Sequence, residues 1–195
     1  MQYLEPLTYG EFYHIYNRGI NGCDLFKGKD NCEYFLNLYD IHISPIADTF
    51  AWVLMKNHFH LLVRIKEKNL GSILPYQSFS NLFNAYAKAF NKQHQRTGSL
   101  FEHPFHRKLI SGVEYFKRVV IYIHDNPVHH GFTEHAMDYP WSSYLTCVSV
   151  KPTHLQRDEV IGWFDNKANF KTAHYNHRDD VELEKWLGLL KVSDH

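Results

Sequence analysis

Apolar and polar positions alternate with different periods along the chain, and the changes of period mark out its elements. Residues 11–17, EFYHIYN, are rich in β-formers and end at Arg18-Gly19, which predicts a strand followed by a loop. Over residues 30–43 the apolar positions Tyr34, Phe35, Leu38 and Ile41 follow a helical period, with Asp30 or Asn31 placed to cap the start. Residues 49–65 read as two β-rich arms around Lys56-Asn57, a tight hairpin. Residues 79–94 carry Phe79, Leu82, Phe83, Tyr86 and Phe90 on one side of a helix, and Thr97-Gly98 breaks it. PFHRKLI, residues 104–110, predicts a further strand. Ser111 and Glu114 have the spacing of a capping box and open another helix, expected to end near Asn126 because Pro127 disfavours helical geometry in the residue before it. The order is strand, helix, strand, strand, helix, strand, helix. That is an α+β, ferredoxin-like split βαβ fold: an antiparallel sheet with helices on one side, plus one added helix. Residues 140–195 are loop-rich, with short helices expected around 158–164 and 180–190.

Composition narrows the class. With 44% hydrophobic and 16% aromatic residues in 195, the chain has ample material for a packed core. It holds no run of apolar residues long enough for a membrane helix, and MQYLEPLTYG lacks the basic start and apolar stretch of a signal peptide. Three scattered cysteines, Cys23, Cys32 and Cys147, argue against a disulfide framework and for a reducing, cytoplasmic setting. Net charge is zero, but its distribution is uneven. Residues 56–118 carry eleven Lys or Arg against three acids, whereas residues 128–195 carry seven against ten. A basic middle before an acidic tail suits a nucleic-acid binder.

Two places carry candidate chemistry. In NHFHLLV, residues 57–63, His58 and His60 lie at i and i+2 on a predicted strand and so point to the same side of the sheet. With fifteen histidines in the chain, one His-x-His is expected by chance, so the pair alone does not separate a metal site from coincidence. In the last predicted helix, Phe116, Val119, Val120 and Ile123 form a core stripe. Tyr115, Arg118, Tyr122 and Asn126 share the adjacent face, with Tyr122 and Asn126 one turn apart. Tyrosines often border cores, and Asn before Pro is a common helix stop, so this pair too has an ordinary structural reading. If the helix packs on the sheet, two imidazoles and an amide oxygen could surround a divalent cation beside a phenol. Such neutral ligands leave an ion its full charge for work on a phosphodiester, and they suit Mg²⁺ or Mn²⁺. No Walker-type or Gly-rich phosphate loop is present.

These segments carry a resemblance. NHFHLLV resembles the His-hydrophobic-His strand of the single-tyrosine HUH transposases, within them the REP-associated tyrosine transposases, an IS200-like group. YIHDNPVHHGF (122–132) resembles their tyrosine helix and its exit, and FYHIYNRGING (12–22) their opening strand and loop. GSLFEHPFHRKLI (98–110) and YPWSSY (139–144) match further stretches in the same order. The likeness spans residues 10 to about 145 and implies an HUH-type domain over 1–145, with 146–195 as a C-terminal extension. It implies His58, His60 and Asn126 as ligands of Mg²⁺ or Mn²⁺, and Tyr122 as nucleophile; Tyr115 is the rival, but its spacing to Asn-Pro is wrong. It further implies that Tyr122 attacks single-stranded DNA to give a 5′-phosphotyrosine and a free 3′ hydroxyl, on hairpins formed by palindromic repeats, in a protein acting as a monomer. Arg18, Arg107 and Lys108 are the candidate DNA-phosphate contacts. Two rivals stand beside this reading. One is a catalytically silent DNA- or RNA-binding protein on the same fold; the other is a small metal-dependent hydrolase, which would need an acid near the histidines, where the hairpin offers none.

Overall fold

A computed structural model describes residues 6–67, 74–175 and 181–187. Four strands, β1 (Phe12–Arg18), β2 (Ala47–Met55), β3 (His58–Ile65) and β4 (His106–Ile110), form one antiparallel sheet in the order β2-β3-β1-β4. Helices α1 (Lys29–His42), α2 (Pro75–Gln93) and α3 (Val113–His129) complete the βαββαβ order with one helix added, the fold class expected from the sequence. The hairpin turn falls at Lys56-Asn57 as expected.

Strand register decides what meets what. Tyr16 pairs with His60 on one side and His106 on the other, and His14 pairs with Leu62 and Lys108. Since residues alternate across a sheet, His14, Tyr16, Arg18, His58, His60, His106 and Lys108 therefore share one face. The opposite face, with Tyr13, Ile15, Phe59, Leu61 and Val63, is buried under α1 and α2 against Phe35, Phe79, Phe83 and Tyr86. Phe79, Leu82, Phe83, Tyr86 and Phe90 are all buried, so the aromatic stripe of α2 is core. Over the first face lies α3, whose Val119, Val120 and Ile123 pack with Val53 and Leu62.

Four local expectations need correcting. Helix α1 is capped at Gly28, and Asn31 instead accepts the Lys27 N–H and donates to Gln93 Oε1 of α2. Its buried side is Cys32, Phe35, Leu38 and Tyr39, leaving Ile41 65% exposed. No side-chain cap forms at α3, which starts after Gly112. Nor does Pro127 stop α3: it removes one i→i−4 bond, to the Ile123 carbonyl, but the helix runs on to His129 with the proline buried. The helix ends at Gly131 (φ 69°): the Phe132 N–H reaches Pro127 O and the Gly131 N–H reaches Val128 O, a Schellman closure that needs a left-handed residue.

Beyond α3 come α4 (Tyr144–Val148), α5 (Arg157–Trp163), α6 (Lys167–Tyr175) and α7 (Val181–Leu187). Helices α5 and α7 match the expected pair, except that positions 180 and 188–190 of the second lie outside the described residues; α4 and α6 were not anticipated. The expected boundary at 145/146 falls inside α4. Val160, Phe164, Phe170, Leu183 and Leu187 share the buried cluster of α3. Arg64 ties α5 to the sheet, bonding Asp48 at 3.0 Å and Glu159 at 3.4 Å.

Candidate functional site: a histidine strand under a tyrosine helix

Because α3 crosses the face that carries the even-numbered residues of β3, its buried polar side meets the two histidines. His58 Nε2 lies 2.8 Å from Asn126 Oδ1. The Tyr122 ring stands edge-on to His60, with centroids 5.4 Å apart and planes at 85°. Asn126 is 1% exposed, His60 4% and Tyr122 6%, while His58 is half-buried, so the structure gathers the four residues into one group that is open to solvent on the His58 side.

Burial governs the protonation of the imidazoles. It pushes His58 down to about 4, against a smaller opposing effect of its bond to Asn126. It holds His60 well below the ordinary value, helped by His14, His58 and His130. Each ring is therefore neutral at pH 7 and has a single N–H. His58 nevertheless faces two carbonyl-type oxygens: Nδ1 is 2.7 Å from Asn57 Oδ1, and Nε2 is 2.8 Å from Asn126 Oδ1. One contact uses the N–H; the other sets a nitrogen lone pair against an oxygen lone pair. A cation bound by both atoms would relieve that conflict, as would an Asn126 amide turned to donate its Nδ2–H to Nε2. Two adjacent ligands of an octahedral ion at about 2.0–2.1 Å stand roughly 2.8–3.0 Å apart, close to the spacing here. Among the described residues no three His, Cys, Asp or Glu side chains gather at ligand spacing, and the oxygen that lies against this pair is that of the Asn126 amide. Two imidazoles and one amide oxygen fit a divalent ion with open positions.

Tyr115, seven residues before Tyr122, packs elsewhere. Its ring lies 4.8 Å from that of Trp186 in α7, and Arg118 covers it at 5.3 Å. The three cations do not form one row. Arg18 ends β1 on the site face and pairs with Glu102 at 2.7 Å. Arg107 and Lys108 are neighbours on β4 and so point to opposite faces. Arg107 lies over Phe105 and Tyr76, and Lys108 over Trp186 at 4.9 Å.

Four residues at the site were not picked out in the sequence. His14 Nε2 touches His60 Nδ1 at 2.9 Å, Asn57 holds His58, the Tyr16 ring stacks on His106 at 4.7 Å, and the His130 ring is 5.0 Å from that of His58. The parity of β1 held the signal for two of them: His14, Tyr16 and Arg18 alternate, so one cationic end residue puts all three on one face.

The fold, a four-stranded antiparallel ferredoxin-like sheet with helices, is that of the HUH tyrosine transposase structure it superposes on. No protein-family model matches the chain. It is 29% identical over 122 residues to a curated protein of Haemophilus influenzae that bears the name of a REP-associated tyrosine transposase; the match covers 60% of this chain and 64% of that relative's length. A solved structure of a REP-associated tyrosine transposase bound to a REP hairpin superposes with a TM-score of 0.59 at 18% identity, over 78% of this chain and 88% of that one. Together these likenesses support the REP-associated tyrosine transposase group, the group that the sequence motifs resemble. Among the described residues no helix is long and apolar enough to cross a membrane.

Proposed function

We propose that this chain is a metal-assisted tyrosine transposase that cleaves and rejoins single-stranded DNA at hairpin-forming palindromic repeats, acting as a cytoplasmic monomer. The observation that carries the reading is the convergence of Tyr122, His60, His58 and Asn126 on one buried face. The Tyr122 phenol oxygen attacks the scissile phosphorus, forming a tyrosine–5′-phosphate ester as the bond to the 3′ oxygen breaks. The phenolic proton is given up and the leaving oxygen ends as a 3′ hydroxyl. Attack by a 3′ hydroxyl on the ester runs the same exchange backwards, so rejoining needs no nucleotide cofactor. A Mg²⁺ or Mn²⁺ ion held by His58, His60 and Asn126 would supply charge that polarises the phosphate and stabilises the leaving oxygen. Arg18 and Lys108, on the site face, would steer the DNA backbone, and Arg107 would act from the opposite face of β4, beside Tyr76.

The test is incubation with Mn²⁺ and a labelled hairpin oligonucleotide from the gene's flanks, followed by a denaturing gel. A DNA-sized adduct that survives SDS and disappears in Tyr122→Phe is the expected result. Tight hairpin binding with no adduct across several substrates would replace this reading with a silent DNA-binding protein on the same fold.

A further inference from the structure

His14 lies in the middle of β1, 0% exposed, on the site face. One polar contact of its ring is on view, Nε2 to His60 Nδ1 at 2.9 Å, and its Nδ1 is buried with no hydrogen-bond partner among the described residues. The two imidazoles lie nearly parallel, with planes at 9° and centroids 5.0 Å apart. A buried ring with one polar contact and one orphaned nitrogen is costly if packing is its only role, because an apolar ring would fill the same space without leaving a polar atom unmet. The contact itself therefore accounts for the histidine.

We propose that His14 is the positioning residue for His60: it accepts the His60 Nδ1–H and so keeps the His60 Nε2 lone pair turned to the site. This rests on the metal-assisted reading above for its purpose, though not for its geometry. A neutral imidazole offers a lone pair at one nitrogen only. With His14 as acceptor, His60 carries its proton on Nδ1 and presents a bare Nε2. With the roles reversed, His60 carries the proton on Nε2 and is no ligand. Ligand histidines as a rule donate their second N–H to a fixed acceptor, which sets both tautomer and ring angle. His58 has the same arrangement through Asn57 Oδ1 at 2.7 Å, so each histidine of the pair meets an uncharged acceptor at Nδ1. Uncharged acceptors orient the rings without adding a negative charge that would offset the cation's pull on a phosphate.

Two measurements on the full chain decide this. Nitrogen-15 NMR of histidine-labelled, Mg²⁺-loaded protein reads which ring nitrogen of His60 carries the proton. Calorimetric or EPR titration with Mn²⁺ reads affinity in wild type, His14→Phe and His14→Gln, each checked for folding by its metal-free thermal transition. We expect the proton on His60 Nδ1, Mn²⁺ affinity weakened about 10- to 100-fold in His14→Phe, and partial recovery in His14→Gln, whose amide oxygen can accept. A proton on His60 Nε2, or a folded His14→Phe that binds Mn²⁺ as wild type does, overturns the proposal. Wild-type protein that holds no Mn²⁺, yet shows His60 protonated at Nδ1, would retire the metal-assisted reading while leaving the role of His14 in orienting His60 intact.

Discussion

Replacing Phe170 with alanine removes a fully buried ring that ties the C-terminal helices to the tyrosine helix. Phe170 is 0% exposed, and its ring lies 4.2 Å from His174, 5.2 Å from Phe164, 5.5 Å from Tyr144 and 5.9 Å from His124 of α3. All four of these neighbours are rings held by their own packing or hydrogen bonds, including His124 between His174 and Ser143. The site therefore cannot collapse onto the vacancy, and the loss should approach the full value for burying a large aromatic. Phe→Ala changes in such surroundings cost about 3–5 kcal/mol. For a domain of this size each kcal/mol lowers the Tm by about 2–4 °C, so a fall of roughly 6–20 °C is expected. Urea unfolding followed by tryptophan fluorescence and by far-ultraviolet circular dichroism measures it. Trp52 lies on the sheet, while Trp163 and Trp186 lie in the C-terminal helices, so the probes sense both parts. The account expects one coincident transition, moved to lower urea with an unchanged slope. A loss below about 1 kcal/mol, or two separate transitions with only the first displaced, would refute the claim that residues beyond 145 share the core of α3.

Acidification should destabilise the ion-free protein below about pH 6.5. Burial pushes His14 down from 6.5 to about 3 and His58 to about 4, so between those values and 6.5 the unfolded chain takes up protons that the native state refuses, and stability falls. Asp125 acts in the opposite sense: burial raises its carboxyl to about 7, so its contribution is complete in acid and is lost as pH rises from about 4 to 7. Asp125→Asn should therefore stabilise the protein at pH 8, by at most about 4 kcal/mol, with the gain vanishing near pH 4; urea titrations at the two pH values check this, and a gain independent of pH contradicts it. Gly131→Ala meets no atom within 4 Å but forces a side chain into positive φ, and should cost about 1–2 kcal/mol in chemical denaturation; no loss would restore Pro127 as the helix stop. Arg18→Ala breaks an ion pair whose arginine is 51% exposed, so stability should change by less than about 1 kcal/mol. Hairpin affinity should drop in the same variant, with the salt dependence of log Kd shallower by about one; an unchanged slope removes Arg18 from the phosphate contacts.

The strands and the two sheet-covering helices were legible because burial on one face imposes a period, and period 2 gave way to 3.6 where the chain leaves the sheet. Lys56-Asn57 stood out as the turn between two β-rich arms. Ile41 misled, since it fits the helical spacing yet falls beyond the edge of the α1–α2 contact. Pro127 misled for a different reason. A local preference of the preceding residue is worth less than the burial of Val119, Val120 and Ile123, and the stop was written four residues later in Gly131. Helices α4 and α6 escaped because elements of five and nine residues show too little periodicity, and tertiary burial of Tyr144 and Phe170 holds them. At the site, the histidine pair and Tyr122–Asn126 could be singled out by spacing on single elements. His14 could not, because its role depends on the register between β1 and β3, and a contact made across that pairing is invisible until the register is known.

The most direct test of the central claim identifies the atom that carries the DNA. Protein incubated with its hairpin substrate and Mn²⁺ is digested with nuclease and protease, and the residual nucleotide is located by tandem mass spectrometry. The account predicts a nucleotide joined through its 5′ phosphate to Tyr122, in the peptide containing Ile123 and Asn126. A nucleotide on Tyr115 or any other side chain, or hairpin cut with no modified peptide, would contradict it.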